Sequence, residues 1–299
     1  MIFPGLFFQF TCGLLFEWLD RKILARFQRR VGPRIIQPLA DLIKLFSKED
    51  LLPIGSNETI ATALPLVSLA AVMTAGFYIP VAGFYRSSFE GDLIVIIFLL
   101  SIPTLAYYLA GVVSVGIYSL LGGGRSLLQF FSYEVPLIIA LSGPAILAGS
   151  WSVSQILKTQ GDFGPFILYQ PVGFGLAVIG LIGKLKRNPL DIPKAKSEVV
   201  AGALTEYTGG KLAFWRIVMN VQAILGIFLL INLFFGQLSA NPYLAGIIFI
   251  IESLLMIVLL STASAIFARM RIDQLAGMGW RILVPIGLLQ LFFVILMGV

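Results

Sequence analysis

Apolar residues gather in eight stretches along the chain, near 1–19, 60–83, 93–117, 131–149, 170–186, 212–236, 243–267 and 281–298, and Gly, Pro and charged residues separate them. A bilayer core of about 30 Å takes roughly 20 residues of helix. The pattern therefore predicts an all-α polytopic membrane protein of about eight spans, a single transmembrane domain over 1–299. No basic residue precedes the first stretch, no small-residue cleavage site follows it, and Glu17 closes it. It reads as a retained span rather than a secretory signal.

Between the first two spans, in the segment 20–50, the period changes. In "IIQPLADLIKLFSKED", Ile35, Leu39, Leu42 and Phe46 recur at helical spacing with Ile36 and Ile43 beside them, while Gln37, Asp41, Lys44 and Lys48 take the other face. Pro38 suits a first helical turn. A dozen residues cannot cross a bilayer, so this predicts an amphipathic helix lying in the membrane interface with its polar face toward water or a partner.

Composition agrees with the pattern, at 58% hydrophobic and 12% charged residues. The net charge of +6 is unevenly placed: of the 21 Lys and Arg, all but Arg86 and Lys158 lie in or beside the odd-numbered loops. Basic loops stay cytoplasmic, which puts both termini outside and makes nucleic acid an unneeded explanation for the run "RKILARFQRRVGPR" at 21–34. With Cys12 as the one cysteine and no histidine, the chain has no ligand set for an iron–sulfur cluster or a His-ligated haem. We expect no cofactor and no metal within it. A zinc-protease His-Glu-x-x-His is impossible, and no nucleophile–base pair stands out, so the chain reads as non-catalytic by itself. Gly122–Gly124 followed by Arg125 lacks the P-loop pattern and reads as a flexible turn. No internal repeat supports a stand-alone secondary transporter, which is the alternative of another class.

Carboxylates inside spans cost roughly 2.5–3.5 kcal/mol on insertion scales and so mark candidate function. Glu252 lies near the centre of the seventh stretch, Glu134 one turn into the fourth, and Glu17 near the basic end of the first. Each is a candidate relay for protons; the competing readings are a neutral packing residue for Glu252 and a partner of Arg21 or Lys22 for Glu17. The longest polar loop, "KLKRNPLDIPKAKSEVVAGALTEYTGGK" at 184–211, holds Asp191, Glu198 and Glu206 among Lys, Arg and Pro. It predicts a structured connection in which Pro193 opens a helix running through Ala195, Val199 and Val200.

Five segments, "RKILARFQRRVGP", "QPLADLIKLFSKED", "SLLQFFSYEV", "LDIPKAKSEVVAGALTEYTG" and "ARMRIDQLAGMGWRILVPIGL", together resemble the H-type membrane subunit that joins the peripheral and membrane arms of respiratory complex I. They are similar also to its counterparts in energy-converting membrane-bound nickel–iron hydrogenases and sulfane reductases. The resemblance implies a prokaryotic plasma-membrane subunit of a redox-driven proton or sodium pump. Its partners would be peripheral iron–sulfur and hydrogenase-like subunits, antiporter-like and small membrane subunits, and lipid. Clusters, and in the hydrogenase branch a nickel–iron centre, would sit in those partners. On this resemblance Glu134 lines a polar passage and Glu198 and Glu206 stand at its mouth, while Asp191 orders the 184–211 loop beside the peripheral arm. Arg29, Arg30, Gln37, Asp41 and Lys44, with Asp20, look like docking residues for that arm. Complex I members tend to read Phe-Asp-Leu-Pro-Glu-Ala-Glu where this chain has Leu190 to Lys196, with Lys194 and Lys196 in place of two acids. The family's quinone cavity borders those acids, so the exchange favours the hydrogenase or sulfane-reductase branch over a quinone-reducing one. The pumped ion and the terminal electron acceptor stay open.

Replacing both Arg29 and Arg30 with Glu is expected to release the peripheral arm on mild-detergent purification; an intact complex after that exchange would refute the docking role.

Overall fold

Lipid offers no hydrogen bonds, so each apolar run must satisfy its backbone internally as a helix. The computed structural model describes residues 5–84, 88–236 and 241–296, apart from the side chains of Lys196, Ser197 and Pro242. Arg86 and both chain ends, including the start of the expected first span, lie outside that description. In chain order the helices are α1 (Leu6–Phe27), α2 (Gln37–Phe46), α3 (Glu58–Tyr78), α4 (Asp92–Val113), α5 (Ile117–Ala148), α6 (Val153–Phe163), α7 (Pro171–Lys184), α8 (Lys196–Val199), α9 (Gly209–Phe234), α10 (Pro242–Ile266), α11 (Ile272–Met278) and α12 (Val284–Leu296). A π turn at 279–283 joins α11 and α12 into one continuous helix. Among the described residues there is no strand, and six helices are long and apolar enough to cross a membrane: α3, α4, α5, α9, α10 and the α11–α12 unit. The charged α1 and the shorter α7 run alongside them.

The central helix is α9, buried along nearly all of its second half and packed against α1, α3, α6, α7 and α10. Connections collect at two ends. At one, the basic end, Asn188 donates to the carbonyls of Ser264 (2.8 Å) and Phe267 (2.7 Å), Leu51 N–H donates to Thr208 Oγ1 (2.8 Å), and Met270 N–H to the Pro189 carbonyl (3.1 Å). At the far end, Asp92 Oδ1 accepts from Val153 N–H at the start of α6 (2.7 Å), and Gln160 Nε2 donates to the carbonyls of Asn232 and Leu233 (3.0 Å each). Odd and even loops thus part as the charge pattern predicts.

Helix α2 lies where the amphipathic reading puts it, with Pro38 in its first turn. Leu42 and Leu45 are buried in the bundle, whereas Ile36, Leu39, Ile43 and Phe46 remain exposed along one side, the face an interfacial helix presents to lipid. Its Asp41 is tied by Arg21 (2.8 Å) and Gln37 (2.9 Å).

Four expectations need correcting. The fourth span begins at Ile117 rather than near 131, so Glu134 sits in the middle of a long helix and Arg125 is helical rather than in a loop. Gly122–Gly124 is accordingly no flexible turn. Without a side chain, Gly122 lets the 202–204 turn rest directly on α5: a Cβ there would fall 2.4 Å from Gly202 Cα. The expected helix through Val200 is broken into a turn at 192–194, the short α8 and a turn at 202–204, because Val200 (φ +58°) and Gly202 (φ +68°) adopt left-handed backbone. Finally, α6 is an addition to the predicted elements, since its apolar positions are too few to read as a span.

The turn at Gly202 admits no side chain, as an added Cβ would lie 1.9 Å from the Pro193 carbonyl oxygen. Gly202→Ala is therefore expected to lower the melting temperature of the detergent-solubilised protein and open the 185–208 loop to protease, since left-handed backbone alone costs a residue with a Cβ roughly 1–2 kcal/mol. Gly124→Ala, whose Cβ meets nothing within 4 Å, should be neutral or mildly stabilising.

Candidate functional site

Helices α4, α5 and α7 meet around one polar cluster inside the bundle. Glu134, halfway along α5, and Lys184, the last residue of α7, are 5% and 4% exposed. Lys184 Nζ lies 2.8 Å and 3.1 Å from the two Glu134 oxygens and 3.0 Å from Ser101 Oγ on α4, and Ser101 itself donates to Glu134. Burying two charges costs several kcal/mol each, which their attraction offsets only when the geometry is close and the remaining lone pairs are bonded. Both conditions hold here. Gly183 makes room for this arrangement beside Tyr133, since a Cβ on it would lie 2.8 Å from the ring. Gln129, one turn earlier on α5, donates to the carbonyls of Gly183 (2.8 Å) and Leu190 (2.7 Å), fixing the end of α7 and the loop that follows.

The cluster continues along one face of α4. Thr104 meets the Tyr133 hydroxyl at 3.3 Å, and Tyr107 carries the Lys186 ammonium nitrogen 4.5 Å from its ring centre. Tyr107 also packs edge-on to Trp215, as does Tyr207, wedging the 202–207 turn onto α9. Ser101, Thr104 and Tyr107 therefore form a polar stripe running from the basic-end loop to the ion pair. Lys186 is 8% exposed. Burial, reinforced by the charges of Lys194 and Lys184, holds its amine well below the usual lysine range despite Glu134. Burial and nearby Arg187 bring Lys194 down to about 8.

The other expected residues fall around this centre without joining it. Glu198 is exposed and pairs with Arg125; Glu206 is half-buried against Gly116. Asp191 is held by both arms of Arg269, each contact 2.7 Å, which staples the 185–208 loop to the 267–271 loop. Glu17 pairs with Arg21 and also accepts from Asn220. Asp20 is not a docking residue: it is buried, paired with Arg187 and bonded by Ser261 (2.7 Å). Arg29, Arg30 and Lys44 are exposed; Gln37 and Asp41 are half-buried and bonded to one another. For Asp41, burial pushes the carboxyl upward but hydrogen bonds from Arg21 and Gln37 outweigh it and hold it low. Glu252 stands apart toward the far end, 7% exposed, with Oε1 unpartnered beside Asn232, Gly236 and Phe249.

Lys184, Lys186, Ser101 and Thr104 are members of this cluster that the sequence does not single out. Both lysines look like ordinary loop charges, and hydroxyls in a span look like back-bonded packing residues. The i, i+3, i+6 spacing of Ser101, Thr104 and Tyr107 is the available clue. Two cavities of about 400 Å³ each open elsewhere in the bundle. One, at the basic end, is lined by Arg125, Glu198, Arg269, Arg271 and Asp273. The other is an apolar cleft among α1, α9 and α10, lined by Phe8, Leu15, Phe16, Phe228, Phe249 and Ile257.

A protein-family model described as NADH dehydrogenase matches residues 2–295. The H-type subunit of the NADH-quinone oxidoreductase of Dehalococcoides mccartyi (strain ATCC BAA-2266 / KCTC 15142 / 195) is 34% identical over 292 residues, covering 95% of this chain and 82% of that protein. Its counterpart from Thermomicrobium roseum is 33% identical over 300 residues, covering 92% and 88%. Among solved structures, a chain of the membrane-bound sulfane sulfur reductase, an archaeal respiratory membrane complex, superposes with a TM-score of 0.89 at 26% identity, covering 96% of each chain.

Removing one partner of a buried pair strands the other. Lys184→Met is expected to destabilise the protein by about 3–5 kcal/mol, whereas adding Glu134→Gln to it should recover most of that loss. Thermal unfolding of the two variants in detergent checks this; equal destabilisation would mean the pair is not mutually compensating.

Proposed function

The chain belongs to the NADH dehydrogenase family, whose model it matches over residues 2–295, and from that premise we propose that it is the membrane coupling subunit of a multisubunit redox-driven ion pump. It is a multi-pass membrane protein, and its partners are the other subunits of such a complex. The observation that carries the reading is the buried Glu134–Lys184–Ser101 cluster, lying at the junction of α7 and the basic-end loop. A proton-holding group inside the membrane, joined by short covalent and hydrogen-bonded links to a surface loop, is what coupling between a soluble redox partner and a membrane ion path requires.

In this reading the basic end faces the cytoplasm, as the distribution of Lys and Arg supports, and both termini face outward. A peripheral arm bearing the iron–sulfur clusters docks there against Arg29, Arg30, Gln37, Asp41 and Lys44 and against the 184–211 loop stapled by Asp191. This chain supplies no redox centre. Reduction in the arm moves that loop or changes the charge beside it. The displacement passes by way of Glu198, Glu206 and the α4 stripe to Glu134, and from there to neighbouring antiporter-like subunits. Glu17 and Glu252 are further stations for the ion. Lys194 and Lys196, and the likeness to a sulfane sulfur reductase chain, favour the hydrogenase or sulfane-reductase type. A quinone-reducing complex is the second reading, favoured by the apolar lining of the cleft among α1, α9 and α10, which suits an isoprenoid tail.

Mild-detergent purification from the native membrane, with metal analysis and mass spectrometry of what accompanies the chain, tests the proposal. Iron together with cluster-bearing subunits is the expected outcome. Nickel in addition would mark the hydrogenase type, and co-extracted quinone the quinone-reducing one. A chain that arrives alone and free of metal, yet transports a solute in liposomes, would overturn the coupling role.

A further inference from the structure

Lys186 combines three features that are each unfavourable for a lysine. It follows the end of α7 at the position where a helix usually finishes on glycine, and its backbone is left-handed, φ +50°. Its ammonium group is withdrawn from water, the residue being 8% exposed. No carboxylate pairs with it among the described residues; the nitrogen rests over the Tyr107 ring instead. A terminator of α7 would be better made from Gly or Asn, and a packing residue at this place would better be apolar. Backbone strain and an unpaired buried amine on the same residue point to a use for the amine itself.

Its surroundings say what that use is. The Tyr107 ring of α4 lies against its nitrogen, the charges of Lys184 at the end of α7 and Lys194 in the following loop repel its own, and that of Glu134 on α5 attracts it. Lys194 has the charge of Asp191 to offset its own. Lys184 has Glu134 as its counter-ion at 2.8 Å. Lys186 has only a ring quadrupole, and repulsion from its lysine neighbours works against its charge. It is therefore the amine that gives up its proton first.

We propose that Lys186 is the loading site through which a proton from the basic end enters the Glu134–Lys184 pair. A hydronium ion in the water at the basic end gives its proton to the neutral Lys186 amine, breaking one O–H bond and forming one N–H bond. The new charge beside Lys184 favours passage of a proton from the Lys184 ammonium to the Glu134 carboxylate, which breaks one N–H bond and forms one O–H bond. Lys186 then passes its extra proton to the Lys184 amine, one N–H bond breaking and one forming, and is neutral again. One proton has entered and one is held on Glu134, poised to leave inward. This inference rests on the coupling role proposed above and adds the identity of the entry group.

The test is charge pumped per electron transferred by the assembled complex in proteoliposomes, across a range of pH, for Lys186→Gln, Lys186→Arg and Lys186→Gly. Gln removes the titrating amine, Arg makes the charge permanent, and Gly suits the left-handed turn, so at least one variant retains the fold. All are expected to lower the ratio about tenfold and to flatten its dependence on pH. Wild-type pumping and pH profile in any assembled variant would overturn the proposal. Glu134→Gln, measured in parallel, separates the two levels of inference. If it also pumps normally, the coupling path itself is misassigned; if it fails while the Lys186 variants pump, only the entry site is wrong.

Discussion

Two opposite charges kept out of water, Glu134 on α5 and Lys184 at the end of α7, set terms that much of the neighbouring structure has to meet. A pair of this kind is tolerable only when its distance is short and its spare lone pairs are occupied. That requirement draws in Ser101 from a third helix, and it demands that α7 stop within reach of the middle of α5. Gln129 then holds the end of α7 by the carbonyls of Gly183 and Leu190. Gly183 yields the space that Tyr133 takes. The polar interior is thus a set of mutual conditions rather than isolated polar residues, and changing one member alters the situation of all the others.

Much of the framework could be read from the chain because lipid imposes a length and a charge distribution on any span. The amphipathic helix with Pro38 in its first turn, the separation of odd and even loops, and the isolated acid Glu134 all follow from that one constraint. What could not be read depends on contacts between distant segments. Gly122 to Arg125 looks like a break in an apolar run, yet Gly202 packs on the first of these residues and Glu198 neutralises the last, so the helix continues. Asp20 has the look of a surface charge until Arg187, more than 160 residues on, and Ser261 close over it. Lys184 reads as part of a basic loop, and only three-dimensional packing shows that it ends a helix with its charge turned inward.

The basic end is assembled from arginine–carboxylate clasps. Arg187 on Asp20, Arg269 on Asp191 and Arg125 on Glu198 each join segments far apart in the chain, and Arg21 on Asp41 ties α1 to the neighbouring α2. Guanidinium groups suit this work because their charge is permanent and their donors are arranged in a rigid fork. Around Glu134 the cations are lysines instead: Lys184 and Lys186 are both buried there.

Where the 202–204 turn meets α5, Gly122 and Gly202 bring backbone against backbone with no side chain between them. Such a contact has no rotamer to absorb a push. A shift of the turn has to be met by the backbone of α5, the same helix that bears Glu134. The smallness of the two glycines, ordinarily associated with looseness, here makes the joint stiff.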